Sequence, residues 1–360
     1  MSSKQCTLIE RCLSNTPITQ SDAEQVLNDP KLSILALCDA AFQLRHQVWG
    51  RDVQIHTINN VKNGFCPEDC NYCAQSKLSD APIENYPSKA NDEIVAEAKR
   101  AYESGSFRYC MVLSGRAPSK TRLNALCASI KAIKDAYPME LCLSAGLVDR
   151  DGAKQLKDAG LDRLNHNLNT SESYYNQICS THSYQDRLDT LLSAQSAGLE
   201  LCSGLIVGMG ESQSDVIEVL AKLRDLKVPS IPINFYTPIG GTPLNTKRGN
   251  IKMSPEFCLR VLCLARFMNP TAEIRIAAGR EYHLGHMQAL ALFPANSLFL
   301  DGYLNTPGTQ LKETMSIIKD AGFDIKSDQS IDDMIAKLGD SDEVAPSKLK
   351  SESNLRPTLA

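Results

Sequence analysis

Residues Gly64 to Cys73 read GFCPEDCNYC, and Cys66, Cys70 and Cys73 in this stretch are spaced C-x3-C-x2-C. Thiolates bind iron well, so three of them on one loop can hold three corners of a cubane cluster and leave the fourth iron open. Four-cysteine zinc sites usually consist of two C-x2-C pairs, and three closely spaced cysteines cannot all pair as disulfides. The proline and acidic residues between the cysteines indicate a polar loop rather than three unrelated core positions. The stretch therefore predicts a four-iron cluster with one open iron.

Short β-prone runs around this loop alternate with longer amphipathic runs, which is typical of a parallel α/β fold. Eight runs are expected to be strands: residues 53–58, 108–114, 140–144, 163–168, 200–207, 230–235, 273–277 and 297–300. Eight alternating units predict a (β/α)8 TIM-type barrel over residues 51–325, with a doubly wound open sheet as the alternative. Because the cysteine loop follows the first strand, it should lie at the carboxyl face of the barrel, where barrel enzymes hold their active sites.

The two ends of the chain are expected to extend the barrel. Residues 1–50 predict an N-terminal helical extension, with Ser21 as an N-cap and residues 32–49 as a mostly apolar helix. Residues 326–360 predict a C-terminal extension. Its end, from Gly339, is rich in Ser, Lys, Asp and Glu and is expected to be disordered.

The charge and composition exclude several classes of protein. The chain has 360 residues and a formal net charge of -4, without a basic run for nucleic acid or a polybasic patch for membranes. No apolar stretch approaches the roughly 20 residues that span a bilayer, and the first residues lack signal-peptide and transit-peptide features. We therefore expect a cytoplasmic protein. Its 13 cysteines are then metal ligands or core residues rather than disulfides.

Three further cysteines, Cys110, Cys142 and Cys202, fall within predicted strands at a similar depth, and Arg275 takes the matching position in the seventh strand. If all four side chains point inward, they meet in one layer of the barrel. Spacing alone favours the alternative of buried apolar cysteines and a paired arginine, because cysteine is often buried. An interior arginine needs an anionic partner, which favours a shared site. The remaining cysteines are interpreted as packing residues: Cys6, Cys12, Cys38, Cys127, Cys179, Cys258 and Cys263.

The loop motif resembles the signature of the radical S-adenosylmethionine (SAM) superfamily, and residues 40–325 resemble the biotin synthase family within it. The closer resemblance rests on Cys110, Cys142, Cys202, Arg275 and the segments NHNLN (165–169), PIN (232–234) and GTPL (241–244). It implies a [4Fe-4S] cluster on Cys66, Cys70 and Cys73, a [2Fe-2S] cluster on the three strand cysteines and Arg275, and SAM as a further cofactor. The implied reaction is a radical insertion of sulfur into dethiobiotin, which forms biotin.

The resemblance also implies roles for single residues. The residues expected to bind SAM are Tyr72, Asn167, Asn169 and Arg187. The residues expected to bind dethiobiotin are Asn165, Asn167, Asn234 and Thr306. An asparagine amide can both donate to and accept from a cyclic urea, although a loop or cap role is the commoner one for an asparagine taken alone. No role is assigned to His166, and residues 208–211 are interpreted as a tight turn, because a full G-x-G-x-x-G is absent.

Several expectations remain open in the sequence. Leu164 and Asn169 stand where some family members carry an aromatic residue and an aspartate. Asp301-Gly302 and Asn305-Thr306 also depart from the family pattern, which leaves Thr306 as the better candidate to contact the substrate's carboxylate tail. The resemblance implies an electron donor such as flavodoxin or ferredoxin and a homodimer. One alternative is another radical SAM enzyme of the biotin-synthase-like group, against which a second cluster would argue. The other is a non-catalytic iron–sulfur scaffold, which would not bind SAM.

Overall fold

The structure is a computed structural model that describes residues 3–14, 17–300, 302–306 and 308–337. The part of the tail predicted to be disordered, from Gly339, lies outside these residues. The strands are β1 Asp52–Lys62, β2 Arg108–Leu113, β3 Glu140–Ser144, β4 Arg163–Asn165, β5 Glu200–Cys202, β6 Leu205–Val207, β7 Ser230–Phe235, β8 Glu273–Ile276, β9 Ser297–Phe299 and β10 Asp324–Ile325.

Helices follow most of the strands. They are α1 Ser3–Leu13, α2 Gln20–Asn28, α3 Ile34–Trp49, α4 Asn91–Glu103, α5 Lys120–Ala136, α6 Arg150–Asp158, α7 Glu172–Tyr175, α8 Tyr184–Ser196, α9 Gln213–Asp225, α10 Pro243–Arg248, α11 Pro255–Met268, α12 Arg280–Leu284, α13 Gln288–Ala291, α14 Leu311–Asp320 and α15 Ile331–Lys337. A 3₁₀ turn, Gly285–Met287, joins α12 to α13.

The strands form a closed parallel barrel. Their order is β1-β2-β3-β4-β5-β7-β8-β9, and β9 pairs back with β1 through Gln54 opposite Ser297 and Ile55 opposite Leu298. The predicted (β/α)8 barrel is thereby confirmed, because this last pairing leaves no open edge in the ring. The short strand β10 pairs with the first two residues of β1, outside the ring.

The fifth strand differs from the prediction of one continuous run over residues 200–207. It is split into β5 and β6, which are separated by Ser203 and Gly204. Both halves pair with β7. A Cβ atom on Gly204 would lie 1.8 Å from the carbonyl oxygen of Pro232 in β7. The backbone at residue 204 therefore lies closer to β7 than a residue with a side chain would allow.

We expect Gly204→Ala to lower the free energy of unfolding by about 1–3 kcal/mol, because the new methyl group must displace the β7 backbone. Gly240→Ala is the matched control, since a Cβ atom there meets nothing within 4 Å. Urea denaturation of the two variants and the parent measures the difference. Equal stability of both variants would show that the β5–β6 break does not require glycine.

Helices α2 and α3 pack against α11, which is buried along most of its length, and α1 packs against α3. Arg260 of α11 donates to the carbonyl oxygens of Val26 and Leu32, at 2.8 and 2.6 Å, and so holds the end of α2 against the barrel. The prediction that Ser21 caps α2 is wrong. The helix begins two residues earlier, at Gln20, and its N-cap Thr19 forms a capping box with Asp22, whose backbone N–H donates to the Thr19 hydroxyl at 3.2 Å. None of the described helices combines the length and apolar composition needed to cross a membrane.

Candidate active site

A cavity of about 300 Å³ opens at the carboxyl ends of the barrel strands. Ten of the predicted site residues line it: Cys66, Cys70, Tyr72, Cys73, Asn165, Asn167, Asn169, Arg187, Asn234 and Thr306. The other four, Cys110, Cys142, Cys202 and Arg275, lie beneath it inside the barrel. Cys110 and Cys142 each precede by two residues a cavity-lining residue of the same strand, Val112 and Ser144. The structure therefore stacks the two predicted groups, one above the other.

The cysteine loop leaves β1 through a left-handed turn at Gly64 and Phe65, whose φ angles are 74° and 50°. A Cβ atom on Gly64 would lie 1.6 Å from the Asn85 side chain, so glycine is needed there. The Gly64 N–H donates to Gln75 Oε1 at 3.0 Å, and the Asn71 N–H donates to the Ile178 carbonyl at 2.9 Å. These bonds tie both ends of the loop to its surroundings and hold the three thiols at the cavity wall.

Two of the asparagines predicted to contact SAM also shape the backbone next to the β5–β6 break. Asn169 has a φ of 70°, a conformation that asparagine tolerates better than most residues. Its amide donates to the Tyr72 hydroxyl at 2.7 Å, which joins the cysteine loop to β6. Asn167 accepts a hydrogen bond from the Gly204 N–H at 3.0 Å. The two side chains thus fix the cavity wall next to the cysteine loop.

The asparagines predicted to bind substrate lie between the cavity and the barrel cysteines. Asn165 Nδ2 is 3.1 Å from the Cys202 sulfur. Asn234 is buried, donates to the Leu205 carbonyl at 3.1 Å and accepts from the Ala278 N–H at 3.2 Å. The neighbouring His166 lines the cavity, and its buried Nε2 has no hydrogen-bond partner among the described residues. The cavity floor is therefore polar.

Arg187 is buried beneath the cysteine loop rather than solvated on the surface of α8. Its Nη1 donates to the Asn167 carbonyl at 2.7 Å, its Nη2 is 2.8 Å from His182 Nε2, and its Nε donates to the Tyr175 hydroxyl. A buried guanidinium held in this way places a fixed positive charge at the cavity wall.

The segment after β9 closes the side of the cavity. Thr306 lines the cavity and is paired in both directions with Tyr303 through backbone hydrogen bonds of 2.9 and 2.8 Å. Asn305, one of the departures from the family pattern, accepts a hydrogen bond from Asn63 at 2.9 Å. This asparagine therefore attaches the segment to the end of β1.

The three strand cysteines meet inside the barrel. Cys110 and Cys142 are direct neighbours in the β2–β3 register, and the Cys142 thiol hydrogen-bonds to both Cys110 and Cys202. The hydrogen bond with Cys110, together with burial, raises the pKa of Cys142 to about 12. The hydrogen bond from Cys142 and the nearby Arg275 and Arg108 guanidiniums lower the pKa of Cys110, so this thiol ionises first.

Arg275 lies against this cysteine group. Its Nη1 is 3.6 Å from the Cys202 sulfur, and its guanidinium lies 5.1 Å from the centre of the Phe299 ring. The Arg275 Nε is buried and has no hydrogen-bond partner within the described part of the chain. Three soft thiols and an unsatisfied guanidinium N–H are a donor set that fits an iron–sulfur group with anionic sulfur atoms.

A charged layer that the sequence analysis did not anticipate lies directly under the cysteines. Glu273 is 1% exposed and accepts hydrogen bonds from Arg108 at 2.8 Å and Arg163 at 3.0 Å, as well as from Arg275. Burial opposes ionisation, but Arg108 and Arg275 hold the pKa of Glu273 well below its usual value. Glu273 stands two residues before Arg275, and the period-two alternation of a strand could have placed both inside the barrel.

We expect Glu273→Ala to lower the free energy of unfolding of the cluster-free protein by about 3–5 kcal/mol, because it leaves buried arginines without their shared carboxylate. Glu140→Ala is the control. Glu140 also pairs with Arg108, but its side chain is 37% exposed, so the expected loss is about 0–1 kcal/mol. Urea denaturation measures both values. A loss of similar size in the two variants would argue against a central role for Glu273.

A second unanticipated contact involves Cys179, which was interpreted as a packing residue. It is buried, but its sulfur lies 3.7 Å from the Cys70 sulfur and 3.3 Å from His182 Nδ1. No spacing rule links residues 70 and 179, so only the fold could bring this thiol to the cysteine loop.

Comparisons with known proteins show which family the chain resembles. Residues 61–223 match the family model of the radical SAM superfamily, and residues 232–324 match that of the biotin and thiamin synthesis associated domain. A biotin synthase from Acaryochloris marina is 50% identical over 319 residues, which cover 89% of this chain and 91% of the relative. A biotin synthase from Magnetococcus marinus is 52% identical over 299 residues, which cover 83% and 92% of the two chains.

Solved structures share the architecture at much lower identity. The FeFe-hydrogenase maturase HydG from Carboxydothermus hydrogenoformans has a TM-score of 0.76 and 18% identity, and the match covers 89% of this chain and 78% of the maturase. Methylornithine synthase has a TM-score of 0.75 and 18% identity, and the match covers 91% of this chain and 99% of that enzyme. At this level of identity the likeness concerns the fold alone.

Proposed function

The chain belongs to the biotin synthase family, and from this premise we propose how its residues hold the cofactors and the substrate. The enzyme is a radical SAM enzyme that inserts sulfur into dethiobiotin and forms biotin. Its family implies a four-iron cluster and SAM. The observation that carries the assignment of residues is the stacking of two thiol groups, the loop cysteines at the cavity wall and the strand cysteines beneath the cavity.

In this proposal Cys66, Cys70 and Cys73 hold the four-iron cluster. The turn at Gly64 and Phe65 and the bond between Asn71 and the Ile178 carbonyl fix the loop before the cluster enters. Preorganisation of this kind reduces the conformational entropy lost when the ligands converge on the metal.

SAM is proposed to occupy the cavity beside the loop. Tyr72 and Asn169, which are hydrogen-bonded to one another, offer an aromatic face and an amide. Asn167 offers a second amide from the same wall. Arg187, with its fixed positive charge, would attract the carboxylate of SAM. These four residues border one side of the cavity and leave the floor to the substrate.

Cys110, Cys142, Cys202 and Arg275 are proposed to hold a two-iron cluster. Arg275 is positioned by Glu273 and by the Ser230 hydroxyl, which its Nη2 reaches at 2.7 Å. Its unsatisfied Nε would gain a partner when the cluster binds. The buried charged layer below closes the barrel on this side, so the substrate reaches the strand cysteines only from the cavity.

Dethiobiotin is proposed to lie between the two clusters, on Asn165, Asn167, Asn234 and Thr306. The cavity offers amide donors and acceptors at its floor, which suit a cyclic urea. Thr306, on the opposite segment, is the candidate for the carboxylate tail.

When bound, the four-iron cluster supplies the electron that cleaves SAM and the two-iron cluster supplies the sulfur. The contribution of the protein is geometric and electrostatic. Its asparagines orient the substrate, and its barrel excludes water from reactive intermediates. We also propose a flavodoxin- or ferredoxin-type electron donor, a homodimer and a cytoplasmic location, which the family resemblance supports.

Anaerobic reconstitution with iron and sulfide, followed by addition of SAM, reductant and dethiobiotin, tests the function. Mass spectrometry should detect biotin and 5′-deoxyadenosine in the complete reaction, and neither product when SAM is omitted. Cleavage of SAM without biotin, in protein that carries both clusters, would contradict the assignment of dethiobiotin as the substrate of this site.

We expect Asn234→Ala to weaken dethiobiotin binding by about 1–3 kcal/mol, or roughly 5- to 160-fold in Kd, because a polar group of the bound urea loses its partner. SAM binding should change much less. Asn269→Ala is the matched control, since Asn269 is also buried and donates to a backbone carbonyl, that of Leu220, at 3.3 Å, but lies outside the cavity. Equilibrium dialysis measures both ligands. Unchanged dethiobiotin affinity in Asn234→Ala would remove this residue from the proposed site.

A further inference from the structure

We propose that Cys70, Cys179 and His182 form a mononuclear site for a thiolate-binding divalent cation, Zn²⁺ or Fe²⁺, while the four-iron cluster is absent. The inference rests on the proposed function in one respect, because it gives Cys70 a second task besides holding the loop cluster. Neither Cys179 nor His182 has a role in the proposed reaction.

The three donor atoms already have the spacing of ligands to one ion. All lie within 4.8 Å of one another. The two sulfurs are 3.7 Å apart, and the Cys179 sulfur is 3.3 Å from His182 Nδ1. Around a tetrahedral zinc with Zn–S of about 2.3 Å and Zn–N of about 2.0 Å, two sulfurs lie about 3.8 Å apart and a sulfur and a nitrogen about 3.5 Å apart.

The same spacing does not suit two ligands of one cubane, whose thiolates bind separate irons and lie farther apart. Cys179 therefore cannot replace SAM at the open iron while Cys70 keeps its place on the cluster. The two uses of Cys70 exclude each other, and the mononuclear site exists only in protein without the loop cluster.

The surroundings favour a cation. All three residues are buried, with exposed fractions of 8% for Cys70, 4% for Cys179 and 8% for His182. Asp69 places a carboxylate oxygen 3.2 Å from the Cys179 sulfur, and Glu68 accepts a hydrogen bond from His182. Asp69 can thus orient the Cys179 ligand, whereas Glu68 holds His182 through the donor nitrogen itself and must give up that hydrogen bond when the ion binds.

The charges close to the site balance after binding. Two thiolates neutralise the divalent cation. The two carboxylates are offset by the buried Arg187 and by Arg116, whose Nη1 lies 3.4 Å from Glu68 Oε1. Arg187 Nη2 lies 2.8 Å from His182 Nε2, so Nδ1 carries the histidine proton and directs it to Glu68. The ion takes the Nδ1 lone pair, so this proton moves to Nε2 and the Arg187 contact there must open. The protons released to solvent come from the two thiols.

The experiment uses the full chain in cluster-free form, under anaerobic reducing conditions. Cys110→Ala, Cys142→Ala and Cys202→Ala are combined as a common background, so that the barrel thiols bind no metal. Zn²⁺ affinity is measured by competition with a chromophoric chelator, and Co²⁺ serves as an optical probe of tetrahedral geometry. We expect one tight site, with two sulfur ligands and one nitrogen ligand in X-ray absorption of the zinc form.

Single changes in this background identify the ligands. We expect Cys179→Ser and His182→Gln each to weaken Zn²⁺ binding by about tenfold or more. Loss of a residue that only supports a ligand typically costs roughly 10- to 100-fold in metal affinity, and loss of the ligand itself should cost at least as much. Cys66→Ser and Cys73→Ser should leave the affinity unchanged within about twofold. If instead these two weaken binding and Cys179→Ser does not, zinc sits on the loop cysteines and the proposal is overturned.

Competition with cluster assembly separates the two cations. One equivalent of Zn²⁺ should slow formation of the loop cluster in the background protein but not in its Cys179→Ser variant. Pre-bound ⁵⁷Fe²⁺ should instead be retained in the cluster, as Mössbauer spectra would show. The absence of both effects overturns the proposal. Failure of the loop to form any cluster would contradict the proposed function, while the zinc titration would still decide the present inference.

Discussion

Cys142→Ala is expected to abolish biotin formation and to leave the four-iron cluster in place. Cys142 is the central member of the barrel thiols, since its sulfur hydrogen-bonds to those of both Cys110 and Cys202. Two thiolates hold a cluster poorly, so the sulfur source should be lost. The loop cysteines belong to a different segment and should be unaffected, and SAM cleavage should persist at an uncoupled level.

Two control variants sharpen this prediction. Cys258→Ala removes an equally buried thiol from α11, far from the barrel interior, and should retain both clusters and biotin formation. Arg275→Lys should retain part of the activity, because a guanidinium is a poor iron ligand and contributes chiefly positive charge. Iron and sulfide content per chain, Mössbauer spectra and biotin yield are the measurements. Undiminished biotin yield from Cys142→Ala with both clusters intact would contradict the assignment of the two-iron cluster to the strand cysteines.

Cys70→Ala is expected to abolish the reductive cleavage of SAM. With only Cys66 and Cys73 left on the loop, the four-iron cluster would lose one of three protein ligands, and the electron could not reach SAM. Production of 5′-deoxyadenosine is the readout, and the expected value is at the background of a reaction without enzyme. The barrel cluster should still form, which optical spectra of the reconstituted variant can show.

Cys127→Ala is the matched control for Cys70→Ala. Cys127 is a half-buried cysteine on α5 whose sulfur lies 3.6 Å from the Gln155 carbonyl, outside both thiol groups. This variant should cleave SAM at the parental rate. Normal 5′-deoxyadenosine production by Cys70→Ala would refute the loop as the site of the SAM-cleaving cluster.

The barrel was predictable because it depends on local periodicity. Alternating β-prone and amphipathic runs are visible along the chain. In the structure the parallel strands form a ring of eight positions, which the pairing of β9 with β1 closes. The errors concern boundaries. Ser21 was interpreted as the cap of α2, whereas Thr19 holds that place, and the fifth strand is interrupted at Gly204. A cap and a strand break depend on contacts a few ångströms away, such as the approach of Pro232, which local patterns do not encode.

The sequence by itself determined the loop motif, the family and the strand positions of Cys110, Cys142, Cys202 and Arg275. Motifs are contiguous, and the period-two alternation of a strand fixes which residues share a face. The same alternation places Glu273 inside the barrel. A buried carboxylate is costly unless it is paired, and the sequence did not show the arginines that pair with Glu273, so it gave no reason to predict a buried position.

Only the tertiary structure decided which groups meet across the barrel. It placed one carboxylate, Glu273, among Arg108, Arg163 and Arg275, which come from three different strands. It also brought Cys179 to Cys70 across more than a hundred residues of chain. Such contacts follow from barrel closure and from the register of non-adjacent strands. Their energy depends on distance and burial, and neither quantity exists until the chain has folded.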